Sequence, residues 1–191
     1  MRSYHAQDKV DLIAELQPET PLERLLLEQP QVQEGLMWGL PRYGHPEGEV
    51  YKHVKEVLSN IERLSPLINK EERERLRLVA FVHDTFKFLE DKTEPRNWHK
   101  HHAVLARRFM EGFTEDVVLL NIIQYHDEIY YIWRDTAVYN EQERAIQRML
   151  HLLNRLLGHN QLYYYFFKCD TAMGIKTPPL SAGWKPIYYR E

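Results

Sequence analysis

The chain has 191 residues, 43% hydrophobic and 28% charged, with a formal net charge of -3. That length and balance suit one domain with a sizeable core and exclude a disordered chain. The net charge gives no whole-chain electrostatic case for a nucleic-acid partner, leaving only a local basic patch to argue from. One cysteine, Cys169, excludes an intrachain disulfide and makes a reducing, cytoplasmic setting the expectation. The opening MRSYHAQDKVDLIAEL is charged throughout and lacks the apolar stretch of a signal peptide. No run approaches the roughly 18 apolar residues of a membrane span.

In chain order, the helical period dominates and no alternating strand stands out. A short helix is predicted from Pro21 to Gln29, then an irregular stretch through Gly39, Pro41, Gly44, Pro46 and Gly48. A helix through Val50, Val54, Val57, Leu58 and Ile61 should end before Pro66. Asn69 with Glu72 forms a capping-box-like start, opening a helix through Leu76, Val79 and Ala80 to about Leu89. Residues 90–97 form a loop. Asn97 is placed to cap the next helix, with an apolar stripe of Leu105, Ala106, Phe109 and Phe113 and a stop at Gly112. Thr114 should cap a helix through Leu119, Ile122 and Ile123. Asn140 with Glu143 should open another through Ile146, Met149, Leu153 and Leu156, closing at Gly158. A last helix holds Tyr163, Phe166 and Phe167 and ends near Gly174; the Pro-bearing tail after it is irregular.

Several polar residues continue these apolar stripes, because positions three, four and seven apart share a helix face. His53 joins Val50, Val54 and Val57, and His83 joins Leu76, Val79 and Ala80. His102 precedes Leu105, Ala106 and Phe109, His126 follows Leu119, Ile122 and Ile123, and Asp170 follows Tyr163, Phe166 and Phe167. A core-facing histidine is by itself more often a hydrogen-bonded structural residue, and Asp84 or Asp170 could be a cap or an ion-pair partner. Five faces interrupted in the same way favour a shared cation, since imidazole nitrogen and carboxylate oxygen both ligate first-row divalent ions. Asp170 sharpens this, because an unpaired buried carboxylate costs several kcal/mol. Adjacent His83 and Asp84 diverge by about 100° on a helix, so both can reach one ion between helices. Asp127 reads as solvated.

The order His53, His83-Asp84, Asp170 resembles the H…HD…D signature of the HD superfamily of metal-dependent phosphohydrolases, over roughly residues 45 to 174. HPEGEVYKHVKEVL is similar to the start of the HD domain in bacterial tRNA nucleotidyltransferases, and HDTFK to the HDxGK form, with Phe86 in place of glycine. The resemblance implies an all-α fold, a single HD-domain-like helical bundle with the metal site between core helices. The core would run over about 45–174, with an N-terminal helical extension, 1–44, and an irregular tail, 175–191. It implies that His53, His83, Asp84 and Asp170 hold a first divalent ion and that His102 and His126 match the positions holding a second. His99 is the alternative middle ligand, whereas His101 points elsewhere. Many binuclear members carry two adjacent histidines where this chain has His126-Asp127.

The function so implied is hydrolysis of a nucleotide or other phosphate ester by a metal-activated water, with Mn, Fe, Mg, Co, Ni or Zn as cofactor. Asp84 and Lys87 are the catalytic candidates; Lys87 could also bind the phosphate, or pair with Glu90 or Asp91 at the surface. Arg42, His45 and Arg107 or Arg108 are candidates for substrate phosphates, or else plain surface residues. Trp98, Tyr125, Tyr130 and Tyr131 could stack on a base or pack within the fold. Two alternatives stand beside hydrolysis: a di-iron oxygenase on the same fold, and a metal-bound sensing module without turnover. No membrane partner is expected, and a homo-oligomer is compatible with the sequence.

Overall fold

The computed structural model of the protein describes residues 10–41 and 48–172. Among these residues all regular structure is helical, and no helix is long and apolar enough to cross a membrane.

Two short helices appear that the sequence did not announce. Asp11 accepts hydrogen bonds from the Ile13 and Ala14 amides and so starts α1, Leu12–Leu16. A full capping box between Thr20 and Glu23, with proline at the first position, starts α2, Pro21–Glu28. Gln29 is extended, and Pro30 then opens α3, Pro30–Leu36, inside the stretch expected to be irregular. A proline at a first helical position breaks nothing, because its missing N–H had no intrahelical acceptor. Gly35 in α3 meets its neighbour closely: a Cβ there would lie 1.8 Å from the Thr85 carbonyl oxygen.

The core is built on α4, Val50–Leu64, whose Val50, Val54, Val57, Leu58 and Ile61 are all buried as their spacing predicts. Pro66 follows in a 3-10 turn, Ser65–Leu67. Asn69 and Glu72 make the predicted reciprocal cap of α5, Lys70–Val82. This helix stops at Val82 rather than near Leu89. Thr85 ends it by taking up free carbonyls, its hydroxyl donating to Phe81 O (2.7 Å) and its amide to Val82 O (3.2 Å). A separate 3-10 turn, Lys87–Leu89, follows.

Asn97 caps the 3-10 turn Trp98–Lys100, while His101 caps α6, His102–Met110. Asp116, not Thr114, caps α7, Val117–Tyr125: one carboxylate oxygen accepts from the Val118 and Leu119 amides, and Thr114 Oγ1 accepts from the Asp116 amide. An unforeseen α8, Glu128–Ala137, pairs with α9, Gln142–Arg155. Asn140 forms no capping box; it occupies the left-handed region at φ 57°. The stripe expected to be core is largely outside: Ile146 and Leu153 are exposed and Met149 is half-buried, while the predicted Leu156 is buried together with Ala145 and Leu152. The last described helix, α10, is Asn160–Thr171; the expected end near Gly174 and the tail 175–191 lie outside the described residues.

Helix α4 packs on α1, α3, α5 and α10, and α5 also contacts α2, α7 and α10. Val54, Val57, Ile61, Leu76, Val79, Ile122, Ile123 and Phe166 meet there without solvent exposure. Full burial of such side chains contributes about 1.5–3 kcal/mol each. A second fastening is ionic. Arg77 on α5 donates twice to Glu23 on α2, Nε to Oε1 at 2.8 Å and Nη2 to Oε2 at 3.0 Å, with side-chain exposures of only 4% and 0%. Arg73, Glu19 and Glu62 extend the network to the surface.

Candidate metal centre

Helix ends deliver most of the polar cluster. His53 projects from α4 and Asp170 from α10. His83 follows the last residue of α5, His126 follows the last residue of α7, and His102 begins α6. The C-terminal ends of α5 and α7 therefore face the cluster with the negative poles of their dipoles, an arrangement that favours a cation.

Asp84 sits at the centre. Its Oδ2 lies 3.6 Å from His53 Nε2 and 3.7 Å from His83 Nε2; its Oδ1 lies 3.5 Å from both His102 Nε2 and His126 Nε2. Asp170 Oδ1 closes the first group at 2.8 Å from His53 Nε2 and 3.4 Å from His83 Nε2. Within the groups, His53 Nε2 is 3.1 Å from His83 Nε2, and His102 Nε2 is 3.4 Å from His126 Nε2. Lys87 Nζ lies 2.5 Å from Asp84 Oδ2.

The outer nitrogens fix what the inner ones can do. His83 Nδ1 lies 3.1 Å from Ala80 O and His126 Nδ1 lies 2.9 Å from Ile123 O; a carbonyl only accepts, so both Nδ1 atoms carry the proton. His102 Nδ1 faces Glu90 Oε2 at 3.2 Å. Burial opposes ionisation of Glu90, yet hydrogen bonds from His102 and Arg96 hold it down at about 2, so it too is an acceptor. With Nδ1 protonated, the Nε2 atoms of His83, His102 and His126 point at neighbouring imidazoles and at carboxylate oxygens. Asp84 Oδ1, buried among them, has no hydrogen-bond partner. Lone pairs gathered in this way require positive charge. Asp84 and Asp170 stay well below the ordinary carboxylate range although burial opposes it, through Lys87 and the imidazoles for Asp84 and through His53 and His83 for Asp170. His53 and His126 are raised against the pull of burial, mainly by Asp170 and by Asp127 respectively. A proton or a metal ion answers the same demand, and three sets among the described residues could each hold a metal ion: His53-His83-Asp84 and Asp84-His102-His126, which share Asp84, and Glu90-His101-His102 beside them.

All six ligand candidates named from sequence therefore converge, with Lys87 beside them. His99 is exposed and only its backbone is engaged, so His102 is the histidine brought to the cluster. His101 is buried as well: it caps α6, reaches Tyr131 Oη at 3.0 Å, and burial pushes its imidazole down to about 3. Arg107 is engaged elsewhere, on Glu111 and Asn121, and Arg108 on the His99 carbonyl. Arg42 and His45, with most of the HPEG lead-in, lie outside the described residues. Of the four aromatics, Trp98 and Tyr131 pack around His101, whereas Tyr125 meets His151 and Tyr130 stacks on Trp133.

Two residues escaped the sequence reading. Glu90 fell in a segment read as a loop and was named only as a surface partner for Lys87, and Asp127 was read as solvated. Asp127 Oδ2 lies 3.2 Å from His102 Nε2 and 3.5 Å from His126 Nε2. The repeated His-Asp dipeptide at 126–127 was the one signal that could have drawn attention to it.

Comparison with known proteins adds one finding. No curated protein and no solved structure matches the chain. The HD domain family model matches residues 50–156, over half the chain, spanning His53, His83, Asp84, His102 and His126 and ending before Asp170. With an all-helical fold around this His/Asp cluster, the chain belongs to the HD domain family.

Proposed function

We propose that the protein is a metal-dependent phosphohydrolase acting on a small phosphate ester, with nucleotides the first class to try. The observation that carries this reading is the orphaned Asp84 Oδ1, buried among imidazole lone pairs in a chain of the HD family. His53, His83, Asp84 and Asp170 would hold one divalent ion, and His102 and His126, with the other oxygen of Asp84, a second. Bound there, such an ion supplies Lewis acidity towards a phosphoryl oxygen and lowers the pKa of a water towards neutrality.

The chain's own groups do the rest. Asp84 offers one carboxylate oxygen to each set and keeps Lys87 at the cluster. Burial works against the Lys87 charge, but Asp84 and Asp127 hold its pKa above the ordinary value, so it stays an ammonium. In that state it can neutralise charge on a phosphoryl group. The side chains of Asp127, Lys87 and Asp170 are 32%, 21% and 17% exposed, against 0% and 1% for His83 and His126. Substrate therefore approaches past these three residues.

The test is phosphate release from a panel of nucleotides and simple phosphate esters, with Mn²⁺, Mg²⁺, Co²⁺ or Ni²⁺ added to metal-stripped protein. Metal-dependent release that Asp84→Ala abolishes is the expected result. Two bound irons with oxygen uptake and no phosphate release would replace this reading with an oxygenase. Bound metal without either activity would leave a sensing module.

A further inference from the structure

We propose that Asp127 is itself a metal ligand, completing a second ion site of Asp84 Oδ1, His102, His126 and Asp127. This inference rests on the metal-centre reading above and deepens it. The second site would then be the twin of the first. Each would have two histidines, one oxygen of the shared Asp84 and one terminal aspartate, Asp170 in the first and Asp127 in the second.

Position and geometry argue together. Asp127 stands at the N-cap of α8, where an aspartate ordinarily accepts hydrogen bonds from first-turn amides. It makes no such bond. Its carboxylate turns into the cluster instead, with Oδ2 at 3.2 Å and 3.5 Å from the Nε2 atoms of His102 and His126. Those atoms are the lone-pair ends fixed by Glu90 and by the Ile123 carbonyl. The first group has the same form, with Asp170 Oδ1 at 2.8 Å and 3.4 Å from His53 and His83. The second group thus gains an anionic oxygen where the first has Asp170. Two divalent ions and Lys87 set against Asp84, Asp127 and Asp170 would leave two positive charges, a match for a phosphate dianion.

The experiment uses the full chain, stripped of metal and titrated calorimetrically with Co²⁺ and with Mn²⁺, alongside Asp127→Ala, Asp127→Asn and Asp170→Ala. Folding of each variant is checked by circular dichroism, and Asp127→Asn carries the same criterion if the alanine variant does not fold. The wild type should take up two ions. Loss of Asp127 should weaken one of them by at least about 100-fold, beyond the roughly 10–100-fold that losing an outer partner costs a metal, and leave the other unchanged. The visible spectrum of the weakened Co²⁺ should also change, because its coordination changes. A nearby charge that is not a ligand would weaken both ions alike and leave that spectrum in place, which would overturn the assignment. Two ions bound by both Asp127 variants with wild-type affinity would overturn it as well, with the metal reading intact. A wild type that takes up no ion would overturn both.

Discussion

Two clusters of buried charge among the described residues, around Arg77 and around Asp84, are satisfied in opposite ways. Around Arg77 the chain supplies both signs, and the guanidinium meets Glu23 through two parallel hydrogen bonds. Around Asp84 the chain supplies oxygens, nitrogen lone pairs and a single ammonium, and one buried oxygen keeps no partner. The first cluster is complete in itself and fastens α2 to α5. The second is a set of donors whose balance must come from outside the chain. Buried polarity therefore signals structure or function according to whether its partners are already present.

The largest effect should come from the complete cluster. Arg77→Ala leaves the buried Glu23 carboxylate without its guanidinium and with only backbone amides as donors, and should cost about 3–5 kcal/mol in urea unfolding. A loss under about 1 kcal/mol would erase the distinction between the clusters. For the incomplete cluster, stability should depend on an added ion. Metal at a hundredfold excess over its Kd should stabilise the protein by about 2.7 kcal/mol per site, read as a rise in Tm that Asp84→Ala removes.

Glu90→Gln sharpens the comparison within the centre. Glu90 accepts from His102 Nδ1 while Arg96 holds its other oxygen, so in the proposed centre it would orient His102 from outside. Its loss should weaken uptake of one ion by about 10–100-fold, or roughly 1.4–2.7 kcal/mol, and leave the other near its original affinity. Calorimetric titration separates the two.

The smallest effect lies at a surface cap. Asp116→Ala removes the α7 cap and the Arg75 contact at 2.6 Å, and should cost about 1–2 kcal/mol at neutral pH. Burial works to raise the Asp116 carboxyl, but Arg75 and the two amides hold it below its ordinary 3.8. A depressed carboxylate contributes fully above that ordinary value and loses its contribution as pH falls through the folded one. The gap between wild type and variant should therefore shrink below pH 3.8, and a gap constant down to pH 2 would refute the ionic part.

Much of the site was legible because its histidines ride on apolar stripes. His53 shares a face with Val50, Val54 and Val57, and that face had only one place to go. Glu90 and Asp127 carry no such mark: one follows a 3-10 turn and the other stands between α7 and α8, so no period announces them. The short α1 and α3 were hidden for a related reason, since five and seven residues are too few to display a helical period. Helix α9 misled for the opposite reason. Its apolar residues come as adjacent pairs, Ala145-Ile146, Met149-Leu150 and Leu152-Leu153, with Leu156-Leu157 just past its end, so two faces compete and packing chooses between them. The end of α5 was set by Thr85 and by the fold around it, not by a breaker in the sequence.

The contact between Gly35 and the Thr85 carbonyl reaches across the family boundary. The matched region starts at residue 50, yet the Thr85 carbonyl, one residue past Asp84, rests on a glycine well before it. Any side chain at that position would push against the backbone that carries the shared carboxylate. Two proteins could then agree at every residue of the cluster and still space its carboxylate differently, through a single methyl group in a segment outside the family match.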